Sequence, residues 1–179
     1  PSVAGIQDLY AGVTENDNRN ALLAADTLKL VREGRTPILL TERKEHAAQL
    51  AALLEGKVHH VFLLIGSDKQ KDKREKIAAL QAVPTDEDIV VIATGKYIGE
   101  GFDFPRLDTL LLVMPISWKG TLAQYAGRLH RNYEGKHEVR IYDYVDVHVP
   151  TLDRMYHKRL KGYAELGYQV KFGERDDSV

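Results

Sequence analysis

Short apolar segments rich in β-branched residues alternate with helical segments along most of this 179-residue chain. The alternation constrains the fold strongly, because two parallel strands need a long crossover between them, usually a helix. Five segments have the length and composition of strands: 36–41, 59–66, 88–94, 108–115 and 138–145. We therefore predict an α/β domain of three layers, with a central, mostly parallel sheet of about five to six strands and helices on both faces.

Four other segments place Ala, Leu and charged residues at helical spacing. The predicted helices are two crossovers, at residues 43–56 and 69–83, and two flanking helices, at about 17–33 and 150–167. Three of the four are followed by a glycine that we expect to end the helix: Gly34, Gly56 and Gly167. The sequence contains no internal repeat or linker. We therefore expect residues 1–179 to form a single domain.

The composition limits the classes of function. Lys and Arg (25) nearly balance Asp and Glu (26), so any basic surface must be local. The absence of cysteine excludes disulfides, thiol chemistry and Cys-ligated zinc, and it is typical of a reducing compartment. Because the apolar runs are too short to cross a bilayer and no signal peptide begins the chain, we expect a cytoplasmic protein with no membrane partner. A start at Pro1 indicates a piece of a longer protein.

Parallel sheets bind their ligands beyond the carboxyl ends of the strands, so the loops that follow the strands are the places to look for chemistry. The stretch GKYIGEGFDFP follows the third predicted strand and contains three glycines. Glycine allows the backbone to approach a phosphate or a sugar closely, and Asp103 can accept hydrogen bonds from ribose hydroxyls. The same aspartate could instead be a simple turn residue.

A second unusual stretch, GTLAQYAGRLHR, follows the fourth predicted strand. Gly120 and Thr121 are predicted to start a helix on which Gln124, Arg128 and Arg131, spaced by four and three, share one face. Two fixed guanidinium groups at one place suit phosphate oxygens. Taken alone, however, such a pair is more often a solvated or salt-bridged helix face.

Three stretches resemble motifs of superfamily 2 helicases of the DEAD/DEAH type and related DNA translocases. IATGKYIGEGFDFPRLD resembles motif V, QYAGRLHR has the Q-x-x-G-R-x-x-R pattern of motif VI, and ILLTERKEHAAQLAALL is similar to motif IV. The resemblance covers roughly residues 35–150 and implies a RecA-like, P-loop NTPase-like domain. The flanking helices are similar to those of type III restriction-enzyme and DNA-repair helicases.

Such helicases contain two RecA-like domains with ATP between them, and two patterns absent from this sequence indicate which domain it is. There is no G-x-x-x-x-G-K-[ST] loop and no apolar strand that ends in Asp-Glu. The resemblance therefore implies the second domain alone, with the ligands of ATP and Mg²⁺ mainly on a missing first domain. Its expected partners are that first domain and nucleic acid. By analogy with repair and restriction relatives, we expect the nucleic acid to be DNA. We expect no metal ligand in this chain and no activity from it alone.

The resemblance also implies roles for individual residues. Catalytic roles fall to two arginine fingers that reach the γ-phosphate and to a glutamine that senses it or the attacking water: Arg128, Arg131 and Gln124. Contacts to the nucleotide are expected from Gly101, Asp103 and Gly127. Contacts to the nucleic-acid backbone are expected from Thr41, Arg43, Thr94, Gly95 and Lys96.

Two alternatives keep the fold without the motor. The domain could be a Rossmann-like module that binds a nucleotide or a protein partner, with the arginines as a plain anion site. It could also belong to a catalytically inactive regulator. A phosphate-binding loop and a magnesium motif upstream of this chain would favour the motor.

Overall fold

A computed structural model of the chain describes residues 3–99, 102–116, 120–136, 138–144 and 150–171. Within these residues one sheet contains five strands: β1 Pro37–Thr41, β2 His60–Leu64, β3 Ile89–Thr94, β4 Thr109–Leu112 and β5 Arg140–Asp143. The strands lie in the order β2-β3-β1-β4-β5, and every neighbouring pair is parallel. Each strand falls inside a segment that the sequence predicts, so the predicted parallel α/β sheet is confirmed.

Seven helices accompany the sheet in the described part of the chain. They are α1 Val3–Thr14, α2 Asp17–Arg32, α3 Lys44–Leu54, α4 Gln70–Gln81, α5 Gly95–Gly99, α6 Gly120–Arg128 and α7 Pro150–Glu165. The two crossover helices and the two flanking helices match α3, α4, α2 and α7. Helix α1 was not predicted from the sequence, and the residues of α5 were predicted to form a loop.

The central strand β1 shows why a run of apolar residues was enough to predict a strand. All five of its residues are buried. Ile38 lies opposite Val91 of β3 on one side and Leu110 of β4 on the other. A parallel strand with helices on both faces is apolar at every position, unlike the alternating strand of a half-exposed sheet.

Side chains of β1 alternate between two separate hydrophobic clusters. Leu39 belongs to one cluster, with Leu23 of α2 and Leu50 of α3. Its neighbour Leu40 belongs to the other, which includes Leu122 of α6. Successive residues of a strand face opposite sides of the sheet, so each cluster fills one face. The predicted three-layer arrangement is therefore confirmed.

Helices α2 and α7 end just before the predicted glycines. Gly34 and Gly167 have φ angles of +83° and +86°, values that residues with a Cβ atom rarely adopt. Beyond α2, the Arg35 amide donates to the Leu30 carbonyl at 3.0 Å, and the Gly34 amide donates to the Val31 carbonyl. These paired bonds satisfy carbonyls that would otherwise be unpaired at the helix end.

The short helix α5 corrects the prediction of an open loop after β3. Tyr97 and Ile98 are 4% and 2% exposed, and both belong to the same hydrophobic cluster as Phe102. The ring centroids of Tyr97 and Phe102 lie 5.6 Å apart, edge to face. Burial of these side chains outweighs the low helix propensity of the two glycines in this segment.

Candidate functional site

The predicted site residues lie at the carboxyl edge of the sheet and in the segments that follow it. Thr41 ends β1, and Thr94 ends β3 and leads into α5. The segment after α5 contains Asp103, and α6 contains Gln124 and ends at Arg128. Parallel strands place their carboxyl ends at one edge, so the fold brings the segments of motifs IV, V and VI to the same side of the sheet.

Motifs V and VI are in direct contact. The Arg131 Nε atom lies 3.5 Å from the Asp103 Oδ2 atom, and the two side chains are 62% and 38% exposed. Arg128 donates from Nη1 to the Phe102 carbonyl at 3.1 Å. Both arginines of motif VI therefore meet the end of the motif V segment, and Arg131 remains largely open to solvent.

Helix α6 presents its polar residues by burying the opposite face. Leu122, Tyr125 and Ala126 are no more than 2% exposed. Gln124 is exposed, and Gly127 and Arg128 are half-buried. Burial, together with the Asp103 carboxylate, raises the pKa of Tyr125. The phenol is therefore a neutral part of the core and adds no charge to the site.

The prediction that Gln124, Arg128 and Arg131 share one helical face is wrong for Arg131. Helix α6 ends at Arg128. Beyond it, the His130 amide donates to the Gly127 carbonyl at 3.2 Å and the Arg131 amide to the Arg128 carbonyl at 3.0 Å. These bonds span three residues and tighten the chain into turns. Arg131 thus reaches Asp103 from a turn, and the helix itself carries only the other two residues.

The carboxyl ends of β2 and β3 pack closely around Gly66, a residue that lies in none of the three motifs. The Gly66 amide donates to the Thr94 hydroxyl at 2.8 Å. A Cβ atom at Gly66 would lie 2.6 Å from the Lys96 Cβ, so only glycine fits beside the start of α5. Thr94 is 5% exposed, Gly95 is half-buried and Lys96 is exposed. Of these three residues, Lys96 is the one whose side chain is exposed.

Thr41 and Arg43 are engaged within the chain. Thr41 is fully buried, and its Oγ1 atom lies 3.0 Å from the His46 Nδ1 atom. Arg43 donates from Nη2 to the backbone carbonyl and the side-chain Oε1 of Gln7, at 3.0 and 2.8 Å. The structure does not place either residue beside Asp103 and Arg131.

A buried network of hydrogen bonds holds Thr41 in position. The His46 Nε2 atom lies 2.9 Å from Asn20 Oδ1, and Asn20 donates from Nδ2 to the Thr14 carbonyl at 2.9 Å. Burial, with the charges of Arg19 and Arg43, lowers the pKa of His46 to about 4. Because the ring is then neutral at pH 7, these partners assign its proton to Nε2 and leave Nδ1 to accept from the Thr41 hydroxyl. These hydrogen bonds connect α2, α3 and β1 behind Thr41.

One predicted site residue, Gly101, lies outside the residues that the structure describes. Among the described residues, no group of three or more His, Cys, Asp or Glu side chains is arranged to hold a metal ion. None of the helices in the described ranges combines the length and the apolar character needed to cross a membrane.

The fold and the paired motifs define a RecA-like α/β domain of the superfamily 2 helicase type. The profile of the "Helicase conserved C-terminal domain" matches residues 19–133. This match covers more than half of the chain. The chain therefore belongs to the helicase C-terminal domain family, and the resemblance inferred from motifs IV, V and VI is confirmed.

Two proteins of invertebrate iridescent viruses are similar in sequence. "Putative helicase 161L" of Invertebrate iridescent virus 6 is 32% identical over 167 residues, which cover 87% of this chain and 35% of that protein. "Uncharacterized protein 108L" of Invertebrate iridescent virus 3 is 36% identical over 89 residues, which cover 49% of this chain and 81% of that protein. The chain thus spans about a third of the length of the 161L helicase.

Solved structures share the fold at low sequence identity. T4 UvsW matches with a TM-score of 0.69 at 17% identity, over 89% of this chain and 35% of that one. The C-terminal part of the Fun30 ATPase domain matches with a TM-score of 0.58 at 17% identity, over 75% and 44%. Domain 2 of the DEAD-box helicase Mss116p, bound to an RNA duplex, matches with a TM-score of 0.57 at 15% identity, over 79% and 56%. These likenesses support the RecA-like fold.

Proposed function

We propose that residues 1–179 form one domain, the second motor domain of an ATP-dependent nucleic-acid helicase or translocase. The observation that supports this most directly is the position of Arg131, which is 62% exposed and lies 3.5 Å from the motif V residue Asp103. An exposed guanidinium held beside the carboxyl edge of the sheet is available to a second protein surface. A first motor domain that binds ATP and Mg²⁺ would provide that surface.

The side chains at this place fit the parts of ATP. The guanidinium groups of Arg128 and Arg131 are permanently charged planar donors, which match the oxygens of a γ-phosphate. Asp103 is an acceptor for ribose hydroxyls, and Gln124 is an exposed amide that can orient a phosphate or a water. ATP supplies the transferable phosphoryl group, and the arginines stabilise the charge that develops on it. We assign the Mg²⁺ ligands to the first domain.

Arginine substitutions in a protein that contains both motor domains test this assignment. An arginine finger is worth roughly 10³ to 10⁵ in rate, or about 4 to 7 kcal/mol of barrier. We therefore expect Arg128→Ala and Arg131→Ala each to lower nucleic-acid-stimulated ATPase at least about 10³-fold while the fold is retained. Arg154→Ala is the matched control, because Arg154 is an exposed arginine of α7 away from the motifs. Normal ATPase in both motif VI variants would contradict the proposal.

The proposed division of labour predicts that the 179-residue chain hydrolyses no ATP alone. The phosphate-binding loop pattern is absent from its sequence. Phosphate release by the purified chain would be compared with release by its Arg131→Ala variant. A rate for the unaltered chain clearly above that of the variant would show a complete catalytic site in this domain and refute the division.

We further propose that the domain grips a nucleic-acid backbone, DNA in preference to RNA, through the segment that begins at Thr94. Lys96 is the exposed cation of this segment, and the Gly95 backbone beside it is half-buried. Thr41 would act from behind, because its hydroxyl is held by His46. The preference for DNA rests on the resemblance to repair and restriction helicases.

Binding measurements with single-stranded DNA, duplex DNA and RNA test the choice of track. Removal of one phosphate contact by Lys96→Ala should reduce the slope of log affinity against log salt by about 0.7 to 0.9. Lys161→Ala, at an exposed lysine of α7, should leave the slope unchanged. Tighter binding of RNA than of either DNA would overturn the preference for DNA.

A further inference from the structure

Lys136 joins the two segments that form the proposed ATP-facing site. Its Nζ atom donates to the Pro105 carbonyl at 2.9 Å and to the Arg131 carbonyl at 2.8 Å. Pro105 follows Asp103 by two residues in the motif V segment, and Arg131 is the second arginine of motif VI. One ammonium group therefore fixes the backbones on which Asp103 and Arg131 are mounted.

The surroundings of Lys136 suit an internal tie better than a surface cation. The side chain is half-buried. Burial lowers the pKa of its ammonium, whereas the carboxylates of Asp108 and Asp103 act in the opposite direction. An ammonium has three donors and no acceptor, and two of the three are used by these carbonyls. The bond to Pro105 spans 31 residues of sequence, so it closes a long loop.

A second tie holds the same segment from the other end. Arg128 donates to the Phe102 carbonyl at 3.1 Å. Residues 102–105 are thus attached to the motif VI region at both ends, and Asp103 lies between the two attachments. Arg131 approaches to 3.5 Å from Asp103 within the segment that these two attachments hold.

We propose that Lys136 is a positioning residue that sets the direction of the Arg131 guanidinium toward the phosphate of ATP. The inference rests on the proposed function of Arg131 and extends it to a residue outside the motifs. Lys136 acts through the backbone of Arg131 and touches neither ATP nor the reacting atoms. Because a displacement of about 1 Å in a catalytic group can cost about 10²-fold in rate, a tie at the backbone of the finger is a sensitive place for a substitution.

The test is a double-mutant cycle in a protein that contains both motor domains, with ATP hydrolysis followed in single turnover so that slow rates remain measurable. Lys136→Met should lower the rate constant about 10- to 100-fold, with the KM for ATP and the melting temperature changed little. In an Arg131→Ala background the same substitution should have no further effect, because there is no guanidinium left to position. Lys161→Met, at an exposed lysine of α7, is the control and should behave as the unaltered protein.

Lys136→Gln is the milder variant and keeps two N–H donors, so the cycle can be completed with it if Lys136→Met does not fold. Equal losses of rate in the presence and absence of Arg131 would show a general structural role and overturn the inference. An unchanged rate in a folded Lys136 variant would overturn it as well. If Arg131→Ala itself left the rate unchanged, the proposed function would fail first, and with it the role of Lys136.

Discussion

Arg131 and Asp103 lie 3.5 Å apart, although they are 28 positions apart in the sequence and belong to different motifs. Neither is buried: the side chains are 62% and 38% exposed. An exposed contact of this kind contributes little to the stability of the fold.

Substitutions at this pair should therefore separate stability from activity. Exposed ion pairs are worth about 0.2 to 1 kcal/mol, so Arg131→Ala and Asp103→Ala should each change the free energy of unfolding by less than about 1 kcal/mol. In a protein with both motor domains the same variants should lose ATPase activity. Urea unfolding of the 179-residue chain gives the first quantity. A loss of several kcal/mol would show that the pair is structural.

Arg159 provides the opposite case. It is 1% exposed, and its Nε and Nη2 atoms donate to the Asp143 carboxylate at 2.7 and 2.9 Å. The Tyr163 hydroxyl also donates to that carboxylate, at 2.8 Å. Arg159→Ala would leave a carboxylate that is only 10% exposed without its cation, and we expect a loss of about 3 to 5 kcal/mol in the free energy of unfolding.

Urea unfolding measures this loss, and Arg154→Ala on the same helix is the matched control, because Arg154 is exposed. The control should change the free energy of unfolding by less than about 0.5 kcal/mol. Similar values for the two variants would show that the Arg159 and Asp143 pair adds nothing to the stability of the fold.

Elements whose structure is decided by local patterns were predicted correctly from the sequence. The central strand β1 is buried at every position, so its apolar run PILLT was sufficient. Helix α5 was missed because its stability comes from burial of Tyr97 and Ile98 against distant residues. Helix α1 was missed although Leu9, Tyr10 and Val13 have helical spacing, which is the signal that could have found it.

The candidate site could be predicted only in part, for the same reason. The motifs selected Asp103 and Arg131 from residue types and spacing, and the structure brings them into contact. No local pattern could select Lys136, because its role depends on the Pro105 carbonyl 31 residues away. Gly66 also depends on a contact in space, since the atom that restricts it belongs to Lys96 at the start of α5.

The neutral His46 predicts a loss of stability in acid. Its pKa is about 4 in the folded chain, whereas an unperturbed histidine titrates near 6.5. Between these values the unfolded chain binds more protons, so stability falls as the pH decreases through this window. The total loss from this group is about 3 kcal/mol below both pKa values.

His46→Gln removes this titration and keeps an amide that can both donate and accept. From pH 7 to pH 4.5 the unaltered chain should lose about 2 kcal/mol more of its unfolding free energy than the variant does. Urea unfolding at the two pH values gives the difference, and carboxylates shared by both proteins cancel in it. Equal losses would mean that His46 is not held neutral by its surroundings.

Gly66 connects packing to the proposed nucleic-acid contact. In Gly66→Ala the new Cβ would lie 2.6 Å from the Lys96 Cβ, an atom fixed to the backbone of α5, so the start of that helix must move. We expect a loss of about 1 to 3 kcal/mol in stability. We also expect weaker DNA binding, since Lys96 is displaced.

Gly12→Ala is the control. A Cβ atom at Gly12 has no other atom within 4 Å, and the residue lies inside α1, where alanine should stabilise the fold by about 0.5 to 1 kcal/mol. If Gly66→Ala were destabilised but bound DNA with unchanged affinity and salt dependence, Lys96 would be excluded as a backbone contact, because its position would have changed without consequence.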